Sequence, residues 1–134
     1  MAKDVREIAN AVLDVAEANG LVLSNLPLNQ IVYFAHAWYL AQYRKPLVDS
    51  AFEAWQHGPV HPQIYRQLRV YGDQPIAARL TRIDLTTGED VPVEVVLSNQ
   101  ERQHVEQMTK FYGTKSAFWL VQKTHEPGAP WDQV

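Results

Sequence analysis

The chain has 134 residues, 46% of them hydrophobic and 20% charged, with a formal charge of −3. That length suits one domain burying roughly two-thirds of its unfolded surface, and the composition excludes an intrinsically disordered chain. The absence of cysteine removes disulfides, thiolate metal sites and cysteine nucleophiles, and the small negative charge argues against general nucleic-acid binding, which needs an excess of Lys and Arg on one surface.

The N-terminus is charged (Lys3, Asp4, Arg6, Glu7) where a signal peptide would be apolar. No stretch approaches the ~18 apolar residues of a membrane span, so a cytoplasmic protein is expected. Val5, Ile8, Ala9, Val12, Leu13 and Ala16 recur at the spacing of one helical face, and Asn19-Gly20 supplies a stop, which predicts a first helix over residues 3–19. Pro27 fits the first turn of a second helix, which continues from Leu28 to Tyr43 and must end before Pro46. Tyr33, Phe34, Trp38, Tyr39 and Tyr43 lie on nearly all its sides. Either this helix is central to the core or it offers aromatic surface to a partner, and its residues leave both readings open.

Alternation over residues 51–56 predicts a short strand ended by Gly58-Pro59, and Pro62 opens a third helix that closes near Tyr71-Gly72. Arg82 to Leu85 and Val91 to Leu97 read as strands joined by a turn at Thr87-Gly88. Ser98-Asn99-Gln100-Glu101 is a capping box that starts a fourth helix, ended at Gly113, and a fifth helix spans residues 115–123. With no repeat or flexible linker, the expected fold is a single α+β domain over residues 1–134. It is mostly helical, with about five helices around a small antiparallel sheet of about three strands.

The residues carry little catalytic chemistry. Gly58-Pro59 breaks the helix that would put His57 and His61 on one face, and scattered histidines (His36, His57, His61, His125) do not by themselves make a metal site. Nucleophile elbow, phosphate loop and dinucleotide fingerprint are all missing, so neither an enzyme nor a cofactor is expected. Charge is uneven, however. Arg66, Arg69, Arg79 and Arg82 stand against Asp73 alone, and six acids from Asp84 to Glu106 stand against Arg102. Arg66 and Arg69 are one helical turn apart beside Tyr65 and Tyr71; such a patch is either a solvated face or a surface for an acidic partner.

Three ordered stretches carry a resemblance: LNQIVYFAHAWYLAQYRKPL at 28–47, FEAWQHGPVHPQIYRQL at 52–68 and THEPGAPW at 124–131. Together they resemble the Panacea domain of SocA-like antitoxins, a family that includes phage-associated GepA-like proteins. The match runs through Tyr33 and Phe34, then Glu53, Trp55, Gly58, Pro59 and Val60, and closes on Thr124, His125 and Trp131. The resemblance implies an antitoxin that neutralises a protein toxin, encoded by an adjacent gene, through direct binding. One branch of the family instead delivers its toxin to the ClpXP protease. Because the chain leaves no room for a helix-turn-helix module, transcriptional autoregulation is not expected. The signature residues are expected to be structural, with Trp55 packed inward and Trp131 pinning the C-terminal end. Toxin-binding candidates are then Tyr39, Tyr43, Arg66, Arg69, Tyr71 and the 79–94 hairpin.

Overall fold

The structure, a computed structural model, describes residues 2–125. In chain order the elements are α1 (Val5–Ala18), α2 (Asn25–Tyr43), β1 (Glu53–Trp55), β2 (Gly58–Val60), α3 (Pro62–Leu68), a 3-10 turn (Arg69–Tyr71), β3 (Thr81–Ile83), β4 (Asp90–Pro92), α4 (Asn99–Tyr112) and α5 (Ala117–Thr124). The mostly helical α+β class is as predicted. Helix ends follow local chemistry: Asp4 accepts from the Arg6 amide (2.8 Å) at the start of α1, and Gly20 has φ +67° just beyond its end. The Ser98–Glu101 capping box closes in both directions, at 2.8 and 3.1 Å.

Helix α2 resolves the two readings of its aromatics along its length. Leu28, Ile31, Val32, Tyr33, Phe34, Ala35 and Tyr39 are buried, and the helix packs against α1, α3, α4, α5 and β2. Phe34 stacks on Tyr112 with centroids 4.2 Å apart and planes 7° apart, and Tyr33 meets Phe52 edge-on at 5.4 Å. Only towards its C-terminal end do Trp38 (39% exposed) and Leu40 (45% exposed) reach solvent. The helix begins at Asn25, two residues before Pro27, which is harmless because first-turn amides have no intrahelical partner to lose.

The predicted single sheet divides in two. Residues 53–60 form their own antiparallel hairpin, with Trp55 opposite Gly58, and β3 pairs with β4 in a second hairpin. Gly58-Pro59 is therefore not the end of a strand but the start of the next one. The strand predicted from Val91 to Leu97 shortens to Asp90–Pro92: Val93 still donates to the Leu80 carbonyl, but its own carbonyl is taken by Asn10, and Val96 bonds to side chains rather than to another strand. Val96 donates its amide to Glu7 Oε2 (2.7 Å), and its carbonyl accepts from Lys3 Nζ (2.9 Å).

Helix carboxamides complete both hairpins. Asn10 of α1 is 1% exposed and sits at the root of β3–β4. Its Nδ2 donates to the carbonyls of Leu80 and Val93 (both 3.0 Å), while its Oδ1 accepts from the Leu80 amide (2.8 Å). Gln67 of α3 pairs with both backbone groups of Thr81, at 2.8 and 2.9 Å. On the other hairpin, Asn29 Oδ1 accepts from the His61 amide (2.9 Å), and Gln30 Nε2 donates to the carbonyl of His57 (3.0 Å). Asn29 Nδ2 in turn donates to Asn25 Oδ1 (2.9 Å), and Asn25 Nδ2 to the Tyr65 carbonyl (3.1 Å), so one buried polar seam joins α2 to β2 and α3.

Three imidazoles are held neutral within this frame. His61, 5% exposed, caps α3: its Nδ1 accepts from the Gln63 amide (3.2 Å), so the ring proton lies on Nε2, 2.7 Å from Ser50 Oγ. His36 Nδ1 accepts from the Val48 amide (3.2 Å), and His104 Nε2 donates to the Ala35 carbonyl (2.8 Å). Burial pushes all three below the ordinary histidine value of 6.5, and His36 is lowered further by its neighbour His61.

Replacing Asn10 by Ala orphans the buried Leu80 amide and weakens the hairpin root. It should cost about 2–3 kcal/mol in urea unfolding, where a loss under about 0.5 kcal/mol would show the clamp to be dispensable. Because the unfolded chain takes up histidine protons at a higher pH than the folded one, stability should be full above 6.5 and fall as pH drops below it. Urea midpoints at pH 7.5 and pH 5.5 test that sign, and a midpoint that rose on acidification would reverse it.

Candidate functional site

The signature residues divide between core and surface. Tyr33, Phe34 and Val60 are 3% exposed or less, and Gly58 and Pro59 are buried with them. Gly58 has φ +111°, and a Cβ there would stand 2.7 Å from Thr124 Oγ1 and 3.2 Å from Gln30 Nε2. Only glycine lets α5 and α2 close on β2 from both sides. Thr124 is fully buried and its hydroxyl donates to the Val121 carbonyl (2.7 Å), whereas His125 follows it, exposed, at the end of α5.

Two expectations for these residues are corrected. Trp55 does not pack inward: β1 is exposed along its whole length, and Trp55 is 38% exposed. Its indole N–H donates to Glu53 Oε1 (2.9 Å) and its ring meets Tyr65 edge-on at 4.8 Å. A three-residue strand with its partner on one side and solvent on the other has no core to face. Tyr39, expected to be exposed, is 2% exposed; its ring meets Tyr43 and His104, and its hydroxyl donates to Gln100 Oε1 (3.1 Å). Tyr39 therefore builds the α2–α4 contact, and Tyr43 is half-buried beside it. Trp131 lies outside the described residues.

The remaining candidates point to the other hairpin. Between the 3-10 turn and β3–β4 lies a groove of about 490 Å³ whose lining includes Tyr71, Val70, Gln67, Arg79, Arg82 and Ile83. Arg79 is held by Asp14 (2.8 Å) and Glu17 (3.2 Å), and Arg6, also in the lining, by Asp4 (2.7 Å). Arg82 is exposed and makes no ion pair among the described residues. Arg66 and Arg69 are likewise exposed and unpaired there; they lie on the bordering α3 and 3-10 turn but do not line the groove.

Sequence reasoning named the 79–94 hairpin but not the exposed aliphatic side chains it carries, and it missed Val70. Val70 is 88% exposed, Ile83 61% and Leu85 95%, and all three belong to this region of the chain. Ile83 and Leu85 read in the sequence as strand residues, and β-branched content gives no sign of whether a strand faces a core or water. The histidines do not converge: among the described residues no group of three or more His, Cys, Asp or Glu could hold a metal ion. No described helix is long and apolar enough to cross a membrane.

These elements define a mostly helical α+β domain in which amide-clamped hairpins take the place of a continuous sheet. Comparison with known proteins places it further. The model of the family described as antitoxin SocA-like, Panacea domain, matches residues 28–132. Antitoxin SocA of Caulobacter vibrioides (strain NA1000 / CB15N) is 37% identical over 131 residues, covering 98% of this chain and 70% of that protein. The chain belongs to the SocA-like Panacea antitoxin family, and that membership supports an antitoxin role. No solved structure matches it. Helix α1 precedes the matched segment, yet contributes Val5, Ile8, Val12 and Leu13 to the same core.

The tight seat of Gly58 gives a stability test independent of any partner. Gly58→Ala must displace α5 or adopt a strained backbone, and should cost about 2 kcal/mol or more in denaturant unfolding. An unchanged midpoint would show that Thr124 and Gln30 can move aside freely.

Proposed function

We propose that this chain neutralises a protein toxin by binding it stoichiometrically, through the groove between the 3-10 turn and the β3–β4 hairpin. Family membership supports the antitoxin role, and one structural observation supports this surface. Val70 and Ile83 stand exposed in the lining of a groove whose Arg82 makes no ion-pair contact among the described residues, and Leu85 is exposed two residues further along the same hairpin. Contiguous exposed apolar side chains are costly in water and are a mark of contact surfaces, and Tyr and Arg are the residue types that most often anchor them.

Tyr71 then acts as the aromatic anchor, half-buried in the groove lining. Arg66 and Arg69 steer an acidic partner surface from the border of the groove, an effect felt in association rate more than in final affinity. An interface on the order of 1,600 Å² would take in the groove, the hairpin and part of α3. Direct binding is distinct from delivery to a protease such as ClpXP, because neutralisation by occupancy needs only the two proteins.

The test is co-expression with the product of the adjacent open reading frame, followed by purification and a toxin assay with no protease present. Growth should be rescued, the two proteins should elute together, and inhibition should persist in the purified mixture. Tyr71→Ala and Arg82→Glu should each weaken the complex at least tenfold, about 1.4 kcal/mol. Reversing Arg66 and Arg69 together should slow association and flatten its salt dependence. Rescue in cells without inhibition in the purified mixture would favour delivery to a protease over direct binding.

A further inference from the structure

Within the β3–β4 ladder the hydrogen-bonding positions alternate. Val93 donates its amide to the Leu80 carbonyl (3.0 Å) and Asp84 donates to the Glu89 carbonyl (2.8 Å), with Arg82 opposite Val91 between them. In an antiparallel pair this alternation makes Arg82 bond inward to β4, while Thr81 and Ile83 turn their N–H and C=O towards the other edge of β3.

The outward groups of Thr81 are closed. Gln67 pairs with both of them at 2.8 and 2.9 Å, and Arg6 adds a third bond to the carbonyl at 3.1 Å. At Ile83 the pattern stops: no hydrogen bond engages its outward amide or carbonyl among the described residues. On the opposite edge of the hairpin, β4 carries Pro92, which has no amide to offer a further strand. Among the described residues the β3 edge thus keeps an unused amide and carbonyl at Ile83, beside the groove and next to a carboxamide that already occupies the same edge as a strand residue would.

We propose that an extended segment of the bound protein adds to β3 at Ile83, continuing the edge that Gln67 begins. This deepens the binding reading above and rests on it. The occupant is set by the surroundings. Exposed Ile83 and Val70 call for an apolar side chain, and Arg82, immediately beside Ile83, makes no ion-pair contact among the described residues and feels only the more distant charge of Asp84, so it calls for a carboxylate next to it. Asp90 is directly across from Ile83 and is the acid among the lining residues, so the segment's negative charge belongs on the arginine side. Main-chain bonds at the edge would hold the segment, and the alternating side chains would select it.

A test that does not depend on knowing the toxin is selection of random nonapeptides displayed on phage against the whole chain. Enriched peptides should alternate apolar and acidic residues, and their binding should slow amide exchange at Ile83, read by NMR, at least tenfold. Ile83→Asp and Arg82→Glu should each weaken the selected peptide at least tenfold while leaving the melting temperature unchanged, since both side chains are exposed. The strand proposal is overturned if no peptide is enriched, or if enriched peptides bind without slowing exchange at Ile83. Failure here together with growth rescue by the intact chain removes the added strand and leaves the antitoxin reading in place. A protected Ile83 without rescue does the reverse.

Discussion

A two-stranded hairpin is marginal in water, because each strand leaves a row of backbone donors and acceptors on its outer edge. This protein ties both hairpins to its helices with the carboxamides of Asn10, Asn29, Gln30 and Gln67, and Gln67 closes the outer edge of β3 at Thr81. An amide side chain carries an N–H and a carbonyl oxygen side by side, so a single Gln can bond both backbone groups of a Thr81 that would otherwise need a neighbouring strand. Everything that distinguishes the fold from a plain helical bundle depends on this substitution. It sets where the hairpins sit, and it allows two small sheets where one larger sheet would bury more of the helix surface.

The arrangement makes α2 a post that is apolar on most sides and polar on one. Burying three amides in its first turns costs desolvation unless every partner is in place. Asn25, Asn29 and Gln30 meet most of that demand by reaching to the turn at His57, the start of α3 and the Tyr65 carbonyl within α3. Gln30 Oε1 lacks a hydrogen-bond partner among the described residues, beside Gly58 where the chain comes closest. The same seam fixes the neutral state of His61, since an imidazolium could not accept from the Gln63 amide. Packing and protonation are thus tied together at the junction of α2, β2 and α3.

The two hairpins differ in how much of their length is held. The first is pressed between α2 and α5 along β2 and exposes only β1. The second is clamped at its root by Asn10, Arg6 and Gln67 and then projects, ending in a turn where Asp84 accepts from Thr86 and Leu85 is almost wholly exposed. An arm rigid at its base with apolar side chains near its tip presents contact surface at little cost in ordering. That physical property is the one the proposed binding of a toxin would require.

Much of this was legible in the residues themselves. Helix ends, the capping box and the helical periodicity are local, set by side chains within four positions of each other, and the family signature is a linear pattern. The chain alone thus determined five helices, with ends within a few residues of those observed, and a resemblance to a family of antitoxins. What it could not decide was every outcome that turns on contacts distant in sequence. Asn10 meets Leu80 across 70 residues, and Gln30 meets His57 across 27. In sequence Asn and Gln look like surface residues, so nothing marked them as surrogate strands or split the expected sheet in two. Tyr39 and Trp55 exchanged roles for the same reason: burial is fixed by what packs opposite a residue, and α4 covers Tyr39 while Trp55 on β1 meets only the edge of Tyr65 and stays 38% exposed. The tertiary structure alone decided which edge was closed and which was left open, because hydrogen-bond satisfaction is a property of neighbours in space.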